Sequence, residues 1–218
     1  EGGMGVVYRA THVMLGRPAV VKLLKPAFSS NREMAERFLR EARAAARLNH
    51  RNIVEVTDCG LAPDGQLYIA LEFLDGVPLS TWINEPAPPS DGVPTTRPVV
   101  HRRPTRGPVP LAQVVAILGQ VANALEAAHN HVRDDGVPAP IIHRDIKPDN
   151  IFLVCRDGID LFVKLLDFGI AKLDEESSAL TRTGVGMGTP SYMPPEQLLS
   201  AKNADRTADV YALGVRSA

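Results

Sequence analysis

Cysteine is scarce in this chain of 218 residues: only Cys59 and Cys155 occur, far apart and in no CxxC pattern. Such usage points to a reduced, intracellular protein. An excess of either charge is missing as well. The 24 Lys and Arg stand against 25 Asp and Glu, for a formal net charge of −1, which leaves no clustered basic excess for nucleic acid or an anionic membrane. No run reaches the roughly 18 uninterrupted apolar residues of a membrane span, and the start EGGMGVVYRA resembles no signal peptide. What remains is the composition of an ordinary globule, 44% hydrophobic and 22% charged, long enough for one large domain or two lobes on a shared base. Glu1 stands where a methionine is usual, and ALGVRSA stops inside an apolar-patterned segment. Both ends are therefore expected to be cut. The expected location is the cytoplasm, with any membrane anchor of the parent protein outside this stretch.

The first part reads as strands with one helix. GVVYRAT (5–11) and RPAVVKLL (17–24) form a hairpin around Gly16. Ser30 with Glu33 makes a capping box, and Met34, Phe38, Ala45 and Leu48 then recur at helical spacing. IVEVTDCGL and QLYIALEFL add two strands across the turn APDG. Residues 85–110 contain eight prolines and no apolar period, which predicts a disordered or polyproline-like insertion. From Leu111 to Ala128 an apolar stripe predicts a helix. IFLV and LFVKLL then pair around the Asp157-Gly158 turn. A short amphipathic piece at EQLLSA and a helix start near Asp205 close the chain.

The chemistry concentrates in a few places. Glu41 lies on the apolar stripe of the first helix, where a carboxylate is costly without a cation; Lys22, an ammonium in the apolar strand AVVKLL, is the candidate partner. The plainer reading puts Glu41 at the edge of a solvated face and Lys22 out toward solvent. EGGMGVV is a glycine-rich turn feeding a strand, which lets backbone N–H groups approach phosphate oxygens, although such clusters are more often simple hairpin turns. HRDIKPDN sets Arg144, Asp145, Lys147, Asp149 and Asn150 between the greasy runs PIIH and IFLV. Asp167 emerges at a strand end before Phe168 and Gly169. Together Asp167 and the Asn150 carbonyl supply the hard oxygens Mg²⁺ prefers. His129 and His131 read as capping or solvated groups, and His143 as a brace for its loop.

The order GGMGVVY, VVK, REAR, HRDIKPDN, DFG and GTPSYMPPE resembles the eukaryotic-like (Hanks-type) bacterial serine/threonine protein kinases, over nearly the whole chain. The resemblance implies an α+β, bilobal fold. Residues 1–74 would be a small antiparallel-sheet lobe with one helix, its first strand missing. Residues 75–218 would be a mostly helical lobe, incomplete and carrying the insertion. It also implies ATP and Mg²⁺ as cofactors, and phosphorylation of serine or threonine hydroxyls on protein substrates.

By the same resemblance, Gly2, Gly3 and Gly5 belong to the phosphate-covering loop, and Val7 packs over adenine. Lys22 holds phosphates and pairs with Glu41. Leu71 is the gatekeeper, and Glu72 and Leu74 present hinge backbone groups. Asp145 takes or orients the substrate proton, Lys147 neutralises the γ-phosphate, and Asn150 and Asp167 hold the metal. Thr189 bonds the catalytic Asp and Lys. Arg144 binds the phosphorylated activation loop after autophosphorylation at Thr181, Thr183 or both, for which dimerisation is an expectation, and Asp209 braces the catalytic loop. Val20 stands where alanine is common, Arg51 and Pro194 also depart from the pattern, and GVRSA breaks the expected apolar continuation. The competing readings are a kinase-like module that binds nucleotide or a partner without turnover, a small-molecule phosphotransferase, and a Pro86-x-x-Pro89 adaptor ligand. Lys147 and GTPSYMPPE speak against the second of these, because they serve a peptide-docking segment.

Overall fold

The computed structural model describes residues 5–29, 32–84, 108–156, 159–168, 192–199 and 205–215. β1 (Gly5–Thr11) and β2 (Pro18–Leu24) form the expected antiparallel hairpin, turned at Gly16 with φ +65°. A short helix, α1 (Pro26–Ser29), leads to α2 (Arg32–Ala46). β3 (Val56–Leu61) and β4 (Leu67–Glu72) complete a sheet of order β1-β2-β4-β3. The strand expected from Ile53 starts later. Ile53 instead bridges Leu165, and the Asn52–Val54 backbone is bonded to it on both sides. Ser30 lies outside the described residues, as do the side chains of Glu33, Met34 and Glu41.

The burial pattern shows why α2 packs on this sheet. Phe38 and Ala42, four residues apart, join Leu24, Leu67 and Ile69 in one apolar cluster. One turn further on, Ala45 and Leu48 join the second and larger core. Val56 packs against both clusters. A single helix is thereby anchored in both lobes.

Gly76–Pro78 (β5) and Leu79–Asn84 (α3) form where the sequence pattern showed only a change of character. The reason is tertiary. β5 pairs with β6 (Ile151–Arg156), and Trp82 of α3 is buried in the larger core. β6 pairs in turn with β7 (Ile159–Leu165), as the two apolar runs predict. Of the proline-rich insertion, 85–107 lie outside the described residues, while Val109 packs on the core and Pro110 starts α4 (Leu111–His129).

α4 has the length and apolarity of a membrane span, yet one side of it is core: Ile117, Val121, Ala124, Leu125 and Ala128 are buried. Leu111 and Val115, expected on the buried stripe, are exposed. Its mid-helix Gln120 is a structural tie. Nε2 donates to the Leu161 carbonyl at 2.8 Å, and Oε1 accepts from Val163 N and Asn52 Nδ2, each at 3.0 Å. Asn52 Nδ2 also donates to the Val163 carbonyl at 2.8 Å. α4, β7 and the segment after α2 are thus fixed by two hydrogen-bonded side-chain amides.

α5 (Pro195–Leu199) and α6 (Arg206–Gly214) complete the described chain. Asp205 caps α6 as its sequence position suggests, accepting from Thr207 N at 2.7 Å. Replacing Asn52 with Ala strands the Val163 carbonyl and removes one of the two donors to Gln120 Oε1. The loss of the Val163 carbonyl's partner should lower unfolding stability by about 1–3 kcal/mol, measured by urea denaturation against wild type.

Candidate active site

The site is assembled where the two lobes meet. Antiparallel register sets Val7 opposite Lys22, Lys22 opposite Ile69, and Val20 opposite Leu71. Residues directly opposite share a face, so Val7, Val20, Lys22 and Leu71 lie on one side of the sheet. The sheet therefore brings together three residues that the sequence assigned to the nucleotide pocket, with Val20 beside them. Gly5 is required for a further reason. A Cβ there would come within 2.3 Å of the Leu23 carbonyl oxygen, so the glycine permits the β1–β2 approach itself.

Lys22 Nζ contacts both carboxylate oxygens of Asp167, at 3.1 and 3.0 Å, across 145 residues of chain. Both side chains are partly shielded from solvent. The expected Lys22–Glu41 pair involves a side chain outside the described residues; the backbone of Glu41 lies within α2. Asp167 has φ +55°. A non-glycine residue is held there only when its surroundings over-determine it.

Arg144 is the other non-glycine residue with positive φ, at +65°, and the surroundings that hold it are plain. Asp209 of α6, 1% exposed, accepts from Arg144 N at 2.7 Å and from His143 N at 2.8 Å. His129 Nε2 donates to the same carboxylate at 2.8 Å. The role expected of Asp209 is thereby given its bonds. The reading of His129 as a capping or solvated group is corrected: its ring is turned inward because a buried carboxylate needs further donors.

His143 is fully buried. It donates from Nε2 to the Leu166 carbonyl at 2.7 Å and accepts from Asp145 N at Nδ1, 3.3 Å. Its ring lies 4.6 Å from that of Phe168. The loop carrying Asp145 and the strand end carrying Asp167 are therefore locked through one imidazole. Burial holds its pKa below the ordinary histidine value, against the opposing pull of Asp209 and the Leu166 carbonyl.

Within the loop, Lys147 Nζ and Asn150 Nδ2 both donate to Asp145 Oδ2, each at 2.8 Å. Asn150 Nδ2 also reaches the Asp145 carbonyl at 2.8 Å. The amide is thus oriented with its oxygen as the remaining acceptor, and Asp145 keeps Oδ1 clear of both donors. The carboxylate of Asp167 and the oxygen of Asn150 are hard donors of the kind Mg²⁺ takes, and a chain that offers two such oxygens leaves the other positions to phosphate and water. The residues fit the ion.

The hinge assignments divide by atom. Glu72 directs its carboxylate to Lys164 Nζ and to Glu55 N, so a nucleotide role falls to its backbone. Lys164 is buried and also donates to the Ile53 carbonyl at 3.1 Å. Sequence reasoning missed this lysine although the signal was present: FVKLL repeats the pattern VVKLL that singled out Lys22. Gly2, Gly3, Thr181, Thr183 and Thr189 lie outside the described residues.

Comparison with known proteins gives the class. The protein kinase domain model matches residues 1–218, and the chain belongs to that family. It is 42% identical over 215 residues to the serine/threonine-protein kinase Pkn1 of Myxococcus xanthus, covering 99% of this chain and 26% of that protein. It is 39% identical to the tyrosine-protein kinase MasK of M. xanthus (strain DK1622), covering 99% of this chain and 30% of that one. With the serine/threonine-protein kinase PknL of Mycobacterium tuberculosis the identity is 37%, covering 99% and 45%. The crystallised PknI kinase domain of M. tuberculosis superimposes with TM-score 0.64 at 32% identity, over 98% of this chain and 67% of that one. The chain thus spans less than half the length of these curated relatives, and the bilobal α+β kinase fold is that of its solved neighbours, with the helical lobe incomplete.

One consequence concerns pH. A histidine whose folded pKa is depressed stabilises the fold fully above about 6.5 and loses that contribution as pH falls toward the folded value. The wild-type chain should lose up to about 1.4 kcal/mol per pH unit from His143 in that window. A His143→Gln variant should lack this part of the slope in denaturant titrations, and ¹⁵N NMR should show the wild-type ring still neutral just below the ordinary value.

Proposed function

We propose that the chain transfers the γ-phosphoryl group of ATP to serine or threonine hydroxyls of proteins. The observation that carries this reading is the paired use of Asp145. Lys147 and Asn150 hold Oδ2, and Oδ1 is left to accept a proton from an incoming hydroxyl. As the hydroxyl oxygen bonds to the γ-phosphorus, the bond to the β-bridging oxygen breaks, and the hydroxyl proton passes to Asp145. Mg²⁺ held by Asp167 and Asn150 would neutralise charge on the phosphate oxygens. Lys22 holds the phosphates, while Lys147 balances charge beside the acceptor. Little covalent chemistry is asked of the protein, so alignment and charge supply most of the acceleration.

Serine/threonine preference rests on Lys147, placed two residues after Asp145, and on the names of most relatives cited; MasK bears a tyrosine-kinase name. Autophosphorylation at Thr181 or Thr183 belongs to the same reading, supported by a buried Arg144 Nε with no hydrogen-bond partner among the described residues. A phosphate drawn to that guanidinium would satisfy it. A second reading, nucleotide binding without turnover, draws on the direct Lys22–Asp167 contact, in which groups suited to phosphate and metal satisfy each other.

Transfer of radiolabelled phosphate from Mg-ATP to Ser/Thr and Tyr peptides decides between them. Asp145→Asn should lower the rate about 10²–10⁴-fold with nucleotide affinity retained. Nucleotide binding with no transfer by wild type establishes the second reading, and label on tyrosine alone overturns the specificity. Mass spectrometry before and after phosphatase should find phosphate on Thr181 or Thr183 of active protein.

A further inference from the structure

The peptide planes around Asp145 are not all held alike. The amides of His143 and Arg144 donate to Asp209 at 2.8 and 2.7 Å, and the Asp145 carbonyl accepts from Asn150 Nδ2 at 2.8 Å. The plane joining Arg144 to Asp145 is bonded more loosely at its amide end, where Asp145 N reaches His143 Nδ1 at 3.3 Å. At its carbonyl end the same plane accepts from Gln197 Nε2 at 3.0 Å. The torsions on either side of it are ψ of Arg144 and φ of Asp145. Its tilt therefore sets the direction in which the Asp145 side chain leaves the backbone. Arg144 stands at φ +65°, a conformation that a non-glycine residue does not keep unaided, so the plane depends on its bonds.

Gln197 is placed to hold it. It lies in α5, 5% exposed, and its backbone N donates to the carbonyl of the buried Pro194 at 3.0 Å. A polar side chain at that depth is costly unless bonded, and this one spends its donor on a carbonyl 53 residues away. A carbonyl can only accept, which settles that Nε2 and not Oε1 faces it. Neither a carboxylate nor an apolar side chain of the same length offers that donor.

We propose that Gln197 is a positioning residue for phosphoryl transfer: through the Arg144 carbonyl it fixes the plane that aims Asp145 at the acceptor hydroxyl. Gln197 follows directly on GTPSYMPPE, so the bond carries the placement of that segment into the loop. Transfer is sensitive to such alignment, because small displacements of a positioned group cost rate steeply. The positioning role rests on the transfer reading given above; the bond itself does not.

Two variants remove the donor by different chemistry. Gln197→Met keeps the length, and Gln197→Glu, assayed well above the ordinary carboxylate range, keeps the shape and presents an acceptor instead. Where the first fails to fold, the second decides. Radiolabelled transfer from Mg-ATP to a Ser/Thr peptide is measured alongside calorimetric nucleotide stoichiometry, so that rate is expressed per competent site. Each variant should lower kcat per site about tenfold. The KM for Mg-ATP should stay unchanged, because Lys22 and its neighbours are carried by the sheet and not by this loop. In NMR spectra the ¹³C resonance of the Arg144 carbonyl and the ¹⁵N resonance of Asp145 should move, while the amide of Lys22 keeps its place.

An unchanged kcat per site in either folded variant overturns the positioning role. So does a fall in rate matched by an equal fall in binding stoichiometry, which marks a loss of folded protein alone. Unmoved Arg144 and Asp145 resonances overturn the bond. Wild type that binds Mg-ATP and transfers no phosphate overturns the transfer reading and the positioning role with it, and leaves the bond to be decided by those two resonances.

Discussion

A carboxylate sealed from water at Asp209 governs the active-site loop. It is tolerated because three donors converge on it, two of them backbone amides of His143 and Arg144. An acceptor taken out of solvent is costly when unpaired and strongly held when saturated. That asymmetry keeps Arg144 in a left-handed conformation which its side chain would otherwise avoid. Once the loop is turned this way, His143 faces inward to Leu166 and Phe168, and Asp145 faces out between Lys147 and Asn150. Helix α6, the loop and the strand end at Asp167 thereby form one hydrogen-bonded unit.

The second constraint is that catalytic charge must be held between lobes without collapsing them onto each other. α2 and the turn that follows it anchor both cores, through Phe38 and Ala42 at one level and Ala45 and Leu48 at the next. The two-amide tie of Asn52 and Gln120 fixes the following segment to β7 and α4. Lys22 and Asp167 then meet across the junction as a partly exposed pair. It is less buried than the lysine–carboxylate contact between β7 and the first sheet. The well-buried Lys164 of β7 with Glu72 of β4 is tied more firmly, since breaking a buried pair strands a charge. The two lysines occupy near-identical sequence contexts and do different work.

Much of the site was legible in advance. Lys22, Asp145, Lys147, Asn150 and Asp167 stand out because polar groups in apolar runs demand partners, and the structure brings Lys22 to Asp167 and the others around Asp145. Helix α4 and the hairpins followed from periodicity, and the α6 cap from Asp205. Apart from Lys164, whose signal was local, the misses at β5, α3 and His129 share one cause. β5 and α3 are too short to carry a period, and they exist because β6 and the larger core accept them. The inward turn of His129 depends on a carboxylate 80 residues away, a separation no local pattern encodes.

The sequence by itself determined the longer elements, the family and the identity of the chemical groups, because periodicity and motif spacing are local properties of the chain. Only tertiary structure decided which carboxylate Lys22 meets, which Asp145 oxygen Lys147 and Asn150 hold, and that Glu72 turns its side chain to Lys164. Those are questions of distance and direction between residues far apart in sequence, settled by how two cores pack around one helix.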